Sequence, residues 1–201
     1  GQKFEDSNAD GVKDAGEPGL DGCTIELVSA VTGDVLDIRV TASSDVDGDG
    51  AIDLETEVGL YLFEGLKPGR YEVREFLHGG WVQTYPTPPA YSLTLVSGGA
   101  ETDVDFGNAL AGSIGGRKFE DLDGDGIRDS GEPYLDSWTV ELVAPATGAV
   151  LDTQVTASVD VDGDGTIDPE TDVGLYSFGD LLPGDYELRD ILQVGLIQTF
   201  P

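Results

Sequence analysis

A chain of 201 residues with 40 Asp and Glu against 10 Lys and Arg carries a formal net charge of -30, which sets it against nucleic acid and anionic membranes as partners. Its 39% hydrophobic content separates it from acidic disordered chains, and no apolar run is long enough to insert into a bilayer. Cys23 is the single cysteine, so no internal disulfide can hold the fold and another staple is required.

In chain order, Lys3-Phe4-Glu5-Asp6 leads into an acidic stretch over 6–17, after which alternation in Cys23-Thr-Ile-Glu-Leu-Val28 and Leu36-Asp-Ile-Arg-Val40 predicts two strands. A second acidic stretch covers 45–57. Pro68-Gly69 then marks a tight turn before a strand at Tyr71–Arg74, and further strands are expected at 91–96 and 102–106. Gly107 to Gly116, rich in Gly and Ala, reads as a linker. The whole pattern then restarts at Lys118-Phe119-Glu120-Asp121 and runs without a gap to Pro201, with about 50 of 86 aligned pairs identical. The expected organisation is a first repeat over 1–108, a linker over 109–116 and a second repeat over 117–201. The second repeat stops before any counterpart of the strands at 91–96 and 102–106, which implies either a cut from a longer array or strands donated by a neighbouring molecule. With no signal-peptide pattern at its start, the chain reads as an internal piece of a longer protein. No helical period appears, and several short strands per repeat predict an all-β chain of two tandem antiparallel β-sandwiches.

The acidic stretches carry the chemistry. Asp6, Asn8, Asp10, Gly11, Val12, Asp14 and Glu17 meet the twelve-residue calcium-loop pattern at positions 1, 3, 5, 6, 7, 9 and 12. Oxygen side chains at 1, 3 and 5 converge on a hard cation, the glycine allows the bend, Val12 offers its carbonyl, and Glu17 closes the shell with two oxygens. The second repeat presents Asp121, Asp123, Asp125, Ile127 (carbonyl), Asp129 and Glu132 in the same places. A related loop supplies Asp45, Asp47, Asp49, Ala51 (carbonyl) and Asp53, and recurs as Asp160, Asp162, Asp164, Thr166 (carbonyl) and Asp168. Position 12 is Thr there, so the closing acid comes either from position 11 (Glu55, Glu170) or from position 13 (Glu57, Asp172). A lone Asp-Gly pair is an ordinary solvated turn, but these four loops hold about half of all the acids, whose repulsion a divalent ion removes. The expected cofactor is Ca²⁺, about two per repeat. Pro18-Gly19 directly follows the first loop, so no long helix flanks it and calcium would staple strands rather than move helices.

The string Lys-Phe-Glu-Asp, the Asp-Gly pairs, Gly16-Glu17-Pro18, Leu20-Asp-Gly-Cys-Thr-Ile25 with Leu135-Asp-Ser-Trp-Thr-Val140, Gly59-Leu-Tyr61 and Asp105-Phe-Gly-Asn108 resemble the SdrD-like B domain of bacterial surface adhesins over nearly the whole chain. The resemblance implies a Greek-key sandwich related to the Cna B-type and immunoglobulin-like folds, with calcium in its loops. It also implies a spacer role in a cell-surface protein, cell-wall-attached or secreted. Many such domains have a short turn where this chain inserts 45–57. The resemblance further implies an internal Lys to Asn amide bond through Lys3, Glu75 and Asn108; the plain alternative is an exposed lysine and a turn asparagine.

An enzyme is not expected: His78 is the only histidine, is replaced by Gln193 in the second repeat, and has no nucleophile in a recognisable setting. Cys23, matched by Trp138, is expected in the core, as are Trp81 and Tyr85. The expected function is a calcium-stabilised spacer whose partners are calcium ions and neighbouring repeats. The alternative is a binding module or strand-donating subunit that recognises a host protein, a carbohydrate or a like subunit.

Overall fold

The computed structural model describes every residue except Val194, Leu196, Phe200 and Pro201, so the expected end of the second repeat at 201 lies outside the described residues. Among the described residues there are twelve strands and no helix, and hence no helix long and apolar enough to cross a membrane. The chain divides into two compact units, Gly1–Ala111 and Gly112–Pro201.

Unit 1 contains β1 (Lys3–Glu5), β2 (Thr24–Ser29), β3 (Val35–Val40), β4 (Gly69–Phe76), β5 (Trp81–Tyr85), β6 (Ala90–Leu95) and β7 (Phe106–Leu110). One sheet has the order β3-β2-β4-β6 and the other β1-β7-β5. The alternation in β2 turns Ile25 and Leu27 inward, where they meet Val73 of β4, Phe106 of β7, Tyr61 and Val104. Each large apolar side chain so buried contributes about 1.5–3 kcal/mol, which makes this cluster the main cohesive element of the unit. The turn before β4 is held by the Tyr71 hydroxyl, which donates to the Lys67 carbonyl at 2.7 Å, and the Tyr186 hydroxyl reaches Leu182 in the same way at 2.7 Å.

Unit 2 contains β8 (Gly112–Arg117), β9 (Thr139–Ala144), β10 (Ala149–Val155), β11 (Leu175–Leu181) and β12 (Glu187–Asp190). Its sheets are β10-β9-β12 and β11-β8, around Val140, Leu142 and Phe178.

The structure departs from the sequence reading in several places. The sandwich is not wholly antiparallel, because β1 and β7 pair in parallel; they are the first and last strands of the unit, and no hairpin constrains their direction. Residues 102–105 are not a strand, and the strand expected there begins only at Phe106. Most of the expected linker is strand, since β7 and β8 are separated by Ala111 alone. Its Gly and Ala carry little strand propensity; β7 is held instead by partners on both edges, and Gly107 is required because a Cβ there would come within 2.6 Å of the Phe4 ring. Cys23 is only half-buried, whereas Trp138 at the equivalent place is 7% exposed.

Candidate functional site

The four acidic loops fold to one template, which the Asp-Gly spacing imposes locally. In each, the first aspartate turns back to accept a backbone N–H from the glycine five residues on: Gly11 to Asp6 at 2.8 Å, Gly50 to Asp45 at 3.0 Å, Gly126 to Asp121 at 2.8 Å and Gly165 to Asp160 at 2.8 Å. The position-5 acids Asp10, Asp49, Asp125 and Asp164 accept the N–H of Val12, Ala51, Ile127 and Thr166 at 2.7–2.8 Å. Those bonds fix the position-7 residues whose carbonyls the sequence nominates as ligands. Gly11 and Gly50 take φ values of 77° and 87°, which a side chain would strain.

One acid closes each loop, and it is buried. Glu17 accepts N–H from Ser7 (2.7 Å) and Asp14 (3.0 Å), and Glu132 accepts from Leu122 (2.7 Å) and Asp129 (2.9 Å). In the second loop type the closing role falls to position 13. Glu57 accepts from Val46 (2.7 Å), Asp47 (3.2 Å) and Asp53 (3.0 Å), and Asp172 accepts from Val161 (3.4 Å) and Asp168 (3.0 Å). Glu57 is 2% and Asp172 1% exposed. Position 11 does something else.

Carboxylate oxygens of Asp45, Asp47 and Asp49 lie within 4.8 Å of one another, as do those of Asp121, Asp123 and Glu132, of Asp123, Asp125 and Asp129, and of Asp160, Asp162 and Asp164. Loop 6–17 is arranged differently, because Asn8 replaces an acid and its amide donates to Asp10 (3.2 Å) and Asp14 (3.1 Å). Asp53 and Asp168 stand apart from the triplets and accept the N–H of Glu55 and Glu170 at 2.8 Å. The N–H of Asp125 favours the charged form of Asp123, but burial and repulsion from Asp125, Glu132 and Asp121 push its carboxyl above the usual aspartate range. A donor set made of carboxylate, amide and peptide oxygens, without nitrogen or sulfur, fits a hard cation of calcium's kind.

Position 11 links the two loops of each unit. Glu55 accepts the Gly16 N–H at 3.0 Å, and its carbonyl takes the Lys13 ammonium, which also reaches Gln2. In unit 2 Arg128 pairs with the Glu170 carboxylate at 2.7 Å, Arg117 donates to its carbonyl at 2.5 Å, and both guanidiniums stack on Tyr134, at 4.2 and 4.8 Å. The Glu170 side chain is 65% exposed, so solvent screens the pair to about 1 kcal/mol or less. Arg128→Ala is therefore expected to speed amide hydrogen exchange in loop 160–172 as well as in loop 121–132, by up to about fivefold. Unchanged exchange in loop 160–172 would mean the loops act separately.

The second cluster is buried. Lys3 of β1 is 1% exposed, and its ammonium lies 2.5 Å from Glu75 Oε2 of β4. The Asn108 amide of β7 donates to the same oxygen at 3.1 Å. Glu75 Oε1 and Asn108 Oδ1 are buried with no partner among the described residues. Burial pulls the Lys3 amine below the 10.5 of a free lysine despite the Glu75 charge beside it. The plain reading of an exposed lysine and a turn asparagine is thus wrong for both residues. A cavity of about 320 Å³, lined also by Cys23, His78 and Trp81, opens beside them. In unit 2 Lys118 lies 2.5 Å from Asp190 and 5.0 Å from the Trp138 ring centre, which fills the place that Cys23 leaves open in unit 1. His78 is exposed and meets Phe76 edge-on, at 6.1 Å; neither aromatic expected in the core lies there, since Trp81 is half-buried on β5 and Tyr85, 36% exposed, packs edge-on against Tyr91. The position-11 linkage was not foreseen; its signal was a cation at position 8 in both repeats, Lys13 and Arg128.

Comparison with known proteins places these features in context. A family model described as "SdrD B-like domain" matches residues 2–106. The chain is 26% identical over 206 aligned residues to serine-aspartate repeat-containing protein D of Staphylococcus aureus (strain Newman), covering 92% of this chain and 13% of that protein. It is 24% identical over 217 residues to serine-aspartate repeat-containing protein F of Staphylococcus epidermidis (strain ATCC 12228), covering 98% of this chain and 11% of that one. The chain therefore spans only about an eighth of the length of these relatives. The crystal structure of GBS52, the minor pilin of Streptococcus agalactiae, overlaps 96% of this chain and 83% of its own at 14% identity, with a TM-score of 0.33.

Proposed function

Since the chain belongs to the SdrD B-like domain family, we propose that it is a pair of calcium-stapled spacer repeats from an extracellular, surface-attached bacterial protein, with no substrate to turn over. The observation that carries this reading is the buried closing acid, present once in each of four loops, together with carboxylates that converge within 4.8 Å of one another in three of those loops. A carboxylate removed from water needs a positive partner. Backbone N–H groups supply part of that need, and an ion held between the closing acid and positions 1, 3, 5 and 7 supplies the rest. Glu17, Glu57, Glu132 and Asp172 would each close one site, with Asp6, Asn8, Asp10, Asp14, Asp45, Asp47, Asp49, Asp53, Asp121, Asp123, Asp125, Asp129, Asp160, Asp162, Asp164 and Asp168 around them, and the carbonyls of Val12, Ala51, Ile127 and Thr166 completing the shells. Outside the cell calcium is abundant enough to keep even weak sites of this kind filled. Neighbouring repeats of the same protein are the expected partners. Elemental analysis of the purified chain after equilibration with calcium is expected to find about two ions per unit. A metal-free chain would overturn the reading.

The geometry at Lys3 supports a second staple, an amide bond within unit 1. The neutral Lys3 amine attacks Asn108 Cγ, the new N–C bond replaces the bond to Nδ2, and ammonia leaves. Glu75 lies against both groups and can take the proton from the amine and deliver it to the departing nitrogen.

A further inference from the structure

Unit 1 carries an apolar groove of about 300 Å³ whose lining includes Leu27, Tyr61, Phe63, Leu66, Tyr71 and Val73. The equivalent surface of unit 2 is occupied: Ile114 of β8 packs there against Val140, Leu142 and Phe178. Backbone pairing follows the same division. In unit 2, Leu175–Leu181 is a strand because it pairs with β8, with Leu175 opposite Arg117, Tyr176 opposite Gly116 and Phe178 opposite Ile114. In unit 1 the equivalent residues, Leu60 to Leu66, begin in the same register and stop. Gln2 bridges Leu60, and Gly1 exchanges two hydrogen bonds with Tyr61, at 3.1 and 3.0 Å. The next residue whose N–H and C=O point to that edge is Phe63, and neither group has a partner among the described residues. Leu62 faces the other way, its carbonyl taking the Arg39 side chain at 2.9 Å, and it is left 62% exposed.

We propose that this groove seats a short extended segment, antiparallel to residues 61–63, with a small residue opposite Leu62 and one branched apolar residue opposite Phe63. The occupant is the joining stretch of a repeat placed before unit 1 in a longer array, of the character of Gly112-Ser-Ile-Gly-Gly116. Close neighbours account for the glycines: a Cβ at Gly1 would come within 2.0 Å of the Val104 carbonyl and 2.8 Å of the Tyr61 ring, and one at Gly116 within 2.6 Å of the Tyr176 hydroxyl. A joining stretch used this way belongs to the core of the unit it enters, so each unit completes its fold only with residues that sequence similarity assigns to no repeat. This inference rests on the tandem-spacer reading but on none of its metal chemistry.

The test extends the full chain at its amino terminus with Gly-Ser-Ile-Gly, placing the added isoleucine opposite Phe63, and follows amide hydrogen exchange. A second extension, Gly-Ser-Asp-Gly, is the control. The expected result is slowing of exchange at Phe63 by at least about tenfold in the isoleucine chain, the least that burial of one such side chain supplies, and none in the aspartate chain. Unchanged Phe63 exchange in the isoleucine chain, with Ile25 and Leu27 still protected, would overturn the proposal. Protection of Phe63 in the unextended chain that grows with protein concentration would also overturn it, since the occupant would then be a second copy. Failure of the calcium reading would show separately, as missing metal with this exchange pattern intact.

Discussion

Withdrawing calcium with a chelator is expected to lower the melting temperature of both units by about 20 °C or more. An ion present at a hundred times its dissociation constant adds about 2.7 kcal/mol per site, so two sites add about 5 kcal/mol to a unit of this size, where each kcal/mol moves the transition by about 4–8 °C. The effect is large because the metal-free loops are themselves costly. The triplets at Asp45, Asp47 and Asp49 and at Asp160, Asp162 and Asp164 hold like charges within 4.8 Å of one another. Glu57→Gln separates the metal effect from loop folding. Its amide keeps an oxygen for the N–H groups of Val46 and Asp47 but loses the charge, one ligand oxygen and the acceptor of the Asp53 N–H, so its melting temperature in chelator is the baseline for the comparison. That variant should lose about half of the calcium-dependent rise in unit 1 and leave unit 2 unchanged. Equal melting temperatures in calcium and in chelator would sink the proposed staple.

The second large effect concerns Lys3. The purified chain is expected to weigh less than its sequence by one molecule of ammonia, and a peptide joining the regions of Lys3 and Asn108 should appear after proteolysis. Asn108→Ala should restore the full mass. By analogy with a disulfide closing a loop of about a hundred residues, loss of the bond should cost about 4–5 kcal/mol. Since a buried alanine substitution carries its own cost, Lys3→Met combined with Glu75→Gln serves as a second variant, which removes the charges together and leaves packing nearly filled. If the chain has its full sequence mass, Lys3 and Glu75 form only a buried ion pair.

The motifs that could be read directly were those with a strict local grammar. Asp, Gly and an acid at fixed spacing dictate a loop whose hydrogen bonds are nearly all internal, so Asp6–Glu17 and Asp121–Glu132 were legible residue by residue. The ambiguity at 45–57 was of another kind: spacing could not choose between Glu55 and Glu57, because the choice is made by what surrounds the loop. Glu57 turns inward to three N–H groups, while Glu55 is drawn across to Gly16 and Lys13 of the other loop. Strands β2 and β4 were visible through their alternation. Strand β7 was not, since Phe-Gly-Asn-Ala-Leu has almost no strand signal and owes its conformation to partners far away in sequence. The parallel pairing of β1 with β7 was hidden for the same reason, and with it the burial of Lys3.

That pairing also decides how unit 1 carries a mechanical load. The strand nearest the start of the unit and the strand at its end lie side by side and run in the same direction, with Lys3 beside Phe106 and Glu5 beside Asn108. Tension applied at the two ends pulls these strands past each other, so their hydrogen bonds must fail together in shear instead of opening one at a time. If Lys3 is joined to Asn108, the pull passes from one to the other through covalent bonds and the hundred residues between them feel almost none of it.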